Sequence, residues 1–253
     1  MSKKLEFFDC DALIGTPRAP IPRVAPSVAD LRSEMRRLGI ARALVRHRAC
    51  AEAGAETGNR LVLEEAAGQK GLLPVWDLTP DTFFEMGPPA TVVAHMLSQG
   101  VAAAWMKPAA HDFVLEPWCC GRMLAALSDR RVPLLVEWDD ATRPQVDEVM
   151  GAFPDLRLVL LRVPRQGRNR SLYPLLERHG NLYAAVAPLY SVYRGIEDLC
   201  KDFGATRFLF GAGYPDMEGG AAISMITYAD ISDKERAAIA SGNLKRLLAE
   251  VRS

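Results

Sequence analysis

Phe8-Asp9-Cys10-Asp11-Ala12-Leu13-Ile14-Gly15 near the start of the chain and Arg207-Phe208-Leu209-Phe210-Gly211-Ala212-Gly213-Tyr214-Pro215 near its end decide how the fold is read. Each is a short apolar run closed by glycine, so residues 5–11 and 208–211 read as the first and last strands. Between them, runs at 41–47, 72–77, 101–107, 132–138, 156–163 and 182–187 have the same character. Helical patterns separate them. Val28, Leu31, Met35 and Leu38 share one face behind a Ser27-x-x-Asp30 cap and stop at Gly39. Residues 60–67, 91–97, 117–127 and 172–179, the stripes Val146-Val149-Met150-Phe153 and Ile196-Leu199-Cys200-Phe203, and a Ser232-x-x-Glu235 cap mark the others. Eight apolar strands, each followed by a helix, predict a parallel α/β sheet covered on both sides.

The 253 residues suit one domain, 1–253, closed into a (β/α)8 TIM barrel, which typically takes about 250 residues. Lysine plus arginine equal aspartate plus glutamate at 31 each, so the zero net charge gives no electrostatic case for nucleic acid or an anionic membrane. No apolar run approaches the ~20 residues of a membrane span, and the first residues lack a signal peptide's apolar stretch. The five cysteines, at 10, 50, 119, 120 and 200, have no zinc-type spacing, and free thiols in a cytoplasmic protein are expected.

These terminal stretches and the closing Gly242-Asn243-Leu244-Lys245-Arg246-Leu247-Leu248 resemble the amidohydrolase-related family, in the branch containing aminocarboxymuconate-semialdehyde decarboxylase and various hydrolases. The resemblance runs the length of the chain and favours a barrel over an open sheet. That family usually opens with Asp-x-His-x-His-x-Gly and closes with Phe-Gly-Ser-Asp-Tyr-Pro. Here Asp11 and Leu13 stand where its two histidines belong, and Gly213 stands where its aspartate belongs. Strand five usually carries Pro-x-x-x-His; Pro133-Leu-Leu-Val-Glu137 puts a glutamate there, and strand six leads to Arg162 in place of His-x-Gly. None of the five common metal positions keeps its usual residue. The expectation is therefore a barrel with no metal and no other cofactor.

Catalytic groups of a TIM barrel sit at the C-terminal ends of its strands, where inward side chains recur every second position. Counting along each strand gives Asp11, His47, Asp77, Lys107, Glu137, Arg162, Ala187 and Gly213 as the last inward residues. Asp11 and Glu137 are candidate general bases, and His111, just beyond strand four, a candidate proton carrier. Lys107, Arg162, His47, Asp77 and Arg165 are the candidate substrate-binding groups; Arg168 and Arg170 share the loop of Arg165, and Arg18 and Arg23 of the first loop could join that patch. The structural alternative pairs Asp11 with Arg162 and Glu137 with Lys107 in a self-neutralised cluster. Cys10, next to Asp11, should face the helices by parity.

Three functions follow. The first is a metal-independent hydrolase or lyase acting on a small anionic organic substrate. The second is a non-catalytic barrel that binds a small anion or a protein partner. The third is a metal-dependent hydrolase whose oxygen ligands, Asp11, Asp77 and Glu137, suit magnesium or manganese better than zinc. A homo-oligomer is open, since related barrels often pair.

Overall fold

The computed structural model describes residues 5–17, 26–80, 86–164 and 170–252. Strands and helices alternate throughout, and every strand pairing is parallel. Strands β1 (Phe7–Ile14), β2 (Ile40–His47) and β3 (Leu72–Pro74) form one run. A second run joins β4 (Trp76–Asp77), β5 (Ala104–Met106), β6 (Pro133–Glu137), β7 (Arg157–Leu161), β8 (Leu182–Val186) and β9 (Phe208–Phe210) in order.

The two runs are one ring. Only Val75 separates β3 from β4; its N–H donates to Val45 O at 2.9 Å, and two residues on Asp77 pairs with Trp105. One strand thus serves β2 with its first half and β5 with its second. At the other junction Leu13 N donates to Tyr214 O (2.9 Å) and Gly213 N to Asp11 O (3.1 Å). The buried Asp9 carboxylate strengthens that seam, its Oδ1 accepting from Asp11 N (2.9 Å) and Ala212 N (2.7 Å). With eight barrel strands and helices outside, this is the expected TIM barrel.

Side-chain parity divides the core in two. Phe8, Leu44, Val75, Trp105, Leu135, Val159, Tyr183 and Leu209 fill the interior, where Leu244 and Leu247 of the last helix join them. The alternate residues, such as Phe7, Val45, Met106, Val136 and Leu160, pack outward with helices including α1 (Val28–Leu38), α5 (Pro117–Asp129) and α6 (Arg143–Ala152). Helix α1 starts as expected, with Ser27 Oγ accepting from Asp30 N, and ends at Gly39 with φ 71°. Ser232 likewise caps its helix with Glu235. Asn243 does more than mark the last helix: its Nδ2 donates to Ala205 O and Phe208 O, both at 2.8 Å, tying that helix to the start of β9.

Two local features break the parity count. In β1, Asp9 pairs with Ala43 and Ala12 with Val45, so Cys10 and Asp11 together oppose the single residue Leu44. Cys10 keeps the parity of Phe8 and lies in the interior cluster, against the expectation that it faces helices, and the bulge lets its neighbour Asp11 reach Arg46 as well. In β2 the inward residues are Leu44 and then Arg46, which leaves His47 outside. All five cysteines are free thiols, and no helix among the described residues is long and apolar enough to cross a membrane.

Candidate active site at the barrel mouth

Arg46 is the centre of the mouth, and the sequence count missed it by one residue. Its guanidinium is fully buried and lies 4.4 Å from the Trp105 ring centre. Nη1 donates to Glu137 Oε1 at 2.8 Å, and Nη2 pairs with Asp11. Three strands, β1, β2 and β6, are therefore joined by one side chain. Lys107 stacks on the same indole at 5.0 Å and reaches Glu137 Oε2 (3.4 Å) and Asp140 Oδ2 (3.3 Å).

Arg162 closes the cluster from the opposite side. Regular strand geometry would send it outward after Leu161, but its φ of 54° turns the chain and returns the side chain to the mouth. Its Nε lies 3.4 Å from Asp11 Oδ2 and 3.9 Å from Glu137 Oε1. Nη1 donates to Asp216 Oδ2 at 2.9 Å, and Arg48 Nη2 reaches the other oxygen of that carboxylate at 3.4 Å. Both pairs of the structural alternative, Asp11 with Arg162 and Glu137 with Lys107, are thus present, with Arg46 between them.

The electrostatic consequences differ from residue to residue. Burial raises the Glu137 carboxyl, but Arg46, Arg162 and Lys107 outweigh it and hold the group down at about 2. At neutral pH Glu137 is a fixed charge and a poor proton acceptor. Asp77 goes the other way: burial raises it, and the His111 beside it only partly opposes the rise. His111 Nε2 lies 2.6 Å from Asp77 Oδ2, while Asn59 holds the Asp77 backbone through Nδ2 to its O (2.8 Å) and Oδ1 from its N (2.7 Å). A buried carboxylate against an imidazole, with its own backbone pinned, can orient that imidazole and stabilise its charged form.

Of the residues expected from sequence, Asp11, Lys107, Glu137 and Arg162 meet in one cluster, and Asp77 with His111 forms a second group. His47 is not among them. Its Nδ1 accepts from Ala49 N (3.1 Å), its Nε2 lies 3.3 Å from Glu65 Oε1, and its ring covers Gly15. Arg165, with Arg18, Arg23 and Arg168, lies outside the described residues, and Arg170 is exposed. Arg46, Arg48, Asp140 and Asp216 were missed. Alternation from Leu44 could have found Arg46; nothing in the sequence marks Asp216.

A divalent cation does not fit this donor set. Among the described residues no group of three or more His, Cys, Asp or Glu side chains is placed to hold a metal ion. Asp11 and Glu137 are both committed to Arg46, with Arg162 and Lys107 in ion-pair range, and Asp77 is committed to His111. Arg46, Arg162 and Lys107 place three fixed positive charges beside Asp11 and Glu137.

A family model described as Amidohydrolase matches residues 12–249. No curated protein sequence matches the chain. Among solved structures, the uncharacterized TIM-barrel protein Bb4693 from Bordetella bronchiseptica superposes with a TM-score of 0.74 at 20% identity, covering 97% of this chain and 99% of that one. The 5-carboxyvanillate decarboxylase LigW from Sphingomonas paucimobilis gives 0.73 at 13% identity, over 97% and 99% of the two chains. A dihydroxybenzoic acid decarboxylase from Polaromonas sp. JS666, solved with bound manganese and the inhibitor 2-nitroresorcinol, gives 0.74 at 13% identity over 97% of each chain. At such identities the likeness carries the fold alone.

Proposed function

The chain belongs to the amidohydrolase family, and on that premise we propose that it is a lyase or hydrolase acting on a small carboxylate without a divalent metal. The observation that carries this reading is the meeting, at one barrel mouth, of a guanidinium and ammonium cluster with the Asp77–His111 pair. Solved relatives by fold include decarboxylases of hydroxylated aromatic acids, which supports a small anionic substrate.

In this reading Arg162 holds the substrate's carboxylate, Lys107 adds positive charge to the mouth, and His111 moves the proton. In a lyase direction the C–C bond to the carboxylate breaks, carbon dioxide leaves, and the imidazolium protonates the electron pair left on carbon. In a hydrolytic direction the neutral ring takes a proton from water. Asp77 fixes the ring and offsets the charge. Asp11 and Glu137, expected as bases, act as the counter-charges that keep Arg46 and Arg162 in place, and Glu137, held near 2, has little tendency to take a proton at neutral pH. The five free thiols are in keeping with a reducing compartment such as the cytoplasm.

The test uses chelator-treated protein against a panel of small aromatic and aliphatic carboxylates, followed by acid release and product analysis. Turnover that survives chelation and falls by about 10²–10⁴ in His111→Asn supports the reading. Turnover that disappears on chelation and returns with manganese sinks the metal-free mechanism. A second reading, a non-catalytic barrel that binds a small anion, is favoured by one feature: Asp11 and Glu137 are both already paired. Saturable binding of a carboxylate with no turnover across the panel would decide for it.

A further inference from the structure

We propose that Arg162 and Arg48 form a carboxylate-binding fork at the barrel mouth, which Asp216 occupies in the free protein and from which a small monocarboxylate displaces it. This rests on the reading of the mouth as an anion site and names the class of anion.

Asp216 contacts the fork as a ligand would, one oxygen on each arginine, at 2.9 Å and 3.4 Å. It leaves donors unused. Arg162 Nη2 and Arg48 Nε are buried and make no hydrogen bond among the described residues, and Arg162 Nε has only ion-pair contacts, at 3.4 Å to Asp11 and 3.9 Å to Glu137. Buried guanidinium donors without a hydrogen bond are costly, and a better-fitting acceptor would satisfy them. Arg162 is also held at φ 54°, in the left-handed region that residues with a side chain adopt uncommonly.

The turn that delivers Asp216 depends on Gly213. Its φ is 71°, and a Cβ built there would lie 2.7 Å from Met217 Sδ and 2.9 Å from Met217 Cβ. Met217 N donates to Gly213 O at 3.0 Å, which folds the turn back over the mouth. Met217 thus fills the space beside residue 213, and a carboxylate three residues later points at Arg162.

Asp216 is the carboxylate able to leave. Its side chain is 31% exposed, whereas that of Asp11 is fully buried on Arg46. Releasing an exposed partner costs little, while stripping a buried one leaves an uncompensated charge. Charge balance selects the ligand. Arg46, Arg48, Lys107 and Arg162 face Asp11, Glu137, Asp140 and Asp216, four of each sign among the described residues. Exchanging one carboxylate for another preserves that balance; a dianion adds an unmatched charge beside Asp11 and Glu137.

Calorimetric titration of the full chain with benzoate at low ionic strength tests this, with Asp216→Asn and Asp216→Ala beside the wild type. Removing the internal competitor should tighten benzoate binding roughly tenfold in both variants, and adding Arg162→Gln should abolish the gain. Equal or weaker binding by both variants than by the wild type overturns the proposal and makes Asp216 a support for the arginines, leaving the proposed function to its own turnover test. If no form binds benzoate, the mouth is not a carboxylate site, and the fork falls together with that reading.

Discussion

Arg46 Nη1 donates to Glu137 Oε1 at 2.8 Å while Nη2 of the same guanidinium holds Asp11, so a fixed organic cation links the two carboxylates at the centre of the mouth. The arrangement is buried and built from three different strands. Its energetics follow from desolvation: charges removed from water are tolerated only while each keeps its partner.

Removing Arg46 is therefore expected to be severe. Arg46→Met keeps much of the volume but leaves Asp11 without its main partner, and the loss should be about 3–5 kcal/mol. Urea denaturation at neutral pH measures it. A loss below about 1 kcal/mol would mean the cluster is wetter and looser than the structure has it.

Glu137 links stability to acid. Its carboxyl is lowered from 4.5 to about 2 on folding, so the stability it contributes is complete above 4.5 and disappears as pH falls towards 2. Glu137→Gln should be less stable than wild type at neutral pH and should flatten the acid limb of the stability profile. Parallel profiles for the two proteins across that limb would refute the assignment.

Asp9 has the opposite sign. Burial raises its carboxyl from 3.8 to about 7, despite the two backbone N–H groups on Oδ1. The folded state thus holds a proton that the unfolded chain releases, and stability falls as pH climbs from 3.8 to about 7. Asp9→Asn keeps an acceptor for Asp11 N and Ala212 N and removes the titration. Its melting temperature should exceed that of wild type by more at pH 8 than at pH 5; a constant difference would show that Asp9 does not titrate in that window.

Placing an acidic side chain at position 213, just beyond β9, should destabilise the fold. Gly213→Asp forces a left-handed conformation costing about 1–2 kcal/mol in itself, and the new Cβ meets Met217. Paired with Met217→Gly, the substitution should recover part of the stability, because the clash is removed and the strained φ remains. Thermal melts of the single and double variants check both effects.

The Asp77–His111 pair should govern proton transfer. Asp77→Asn removes the negative charge facing the imidazole while keeping the backbone contacts of Asn59 available. Proton nuclear resonance of His111 should then show a lower pKa than in wild type, since an anionic neighbour favours the charged ring. An unchanged or higher value would mean that Asp77 does not act on the ring.

The alternation of apolar strands with striped helices, together with the two terminal motifs, was enough to read the barrel, because periodicity is written locally in the chain. It also brought Lys107 and Glu137 to one end, since strand ends and parity follow from position alone; Asp11 and Arg162 stand there too, but through a bulge and a positive φ. Tertiary structure decided the rest. A bulge opposite Leu44 set Asp11 on the inward side beside Cys10, the parity of β2 put Arg46 inside in place of His47, and the φ of Arg162 returned its side chain to the mouth. Asp216 reached Arg162 only because Gly213 let the chain fold back. Which charges meet depends on bulges, positive φ angles and turns, and these are settled by packing between segments far apart in sequence.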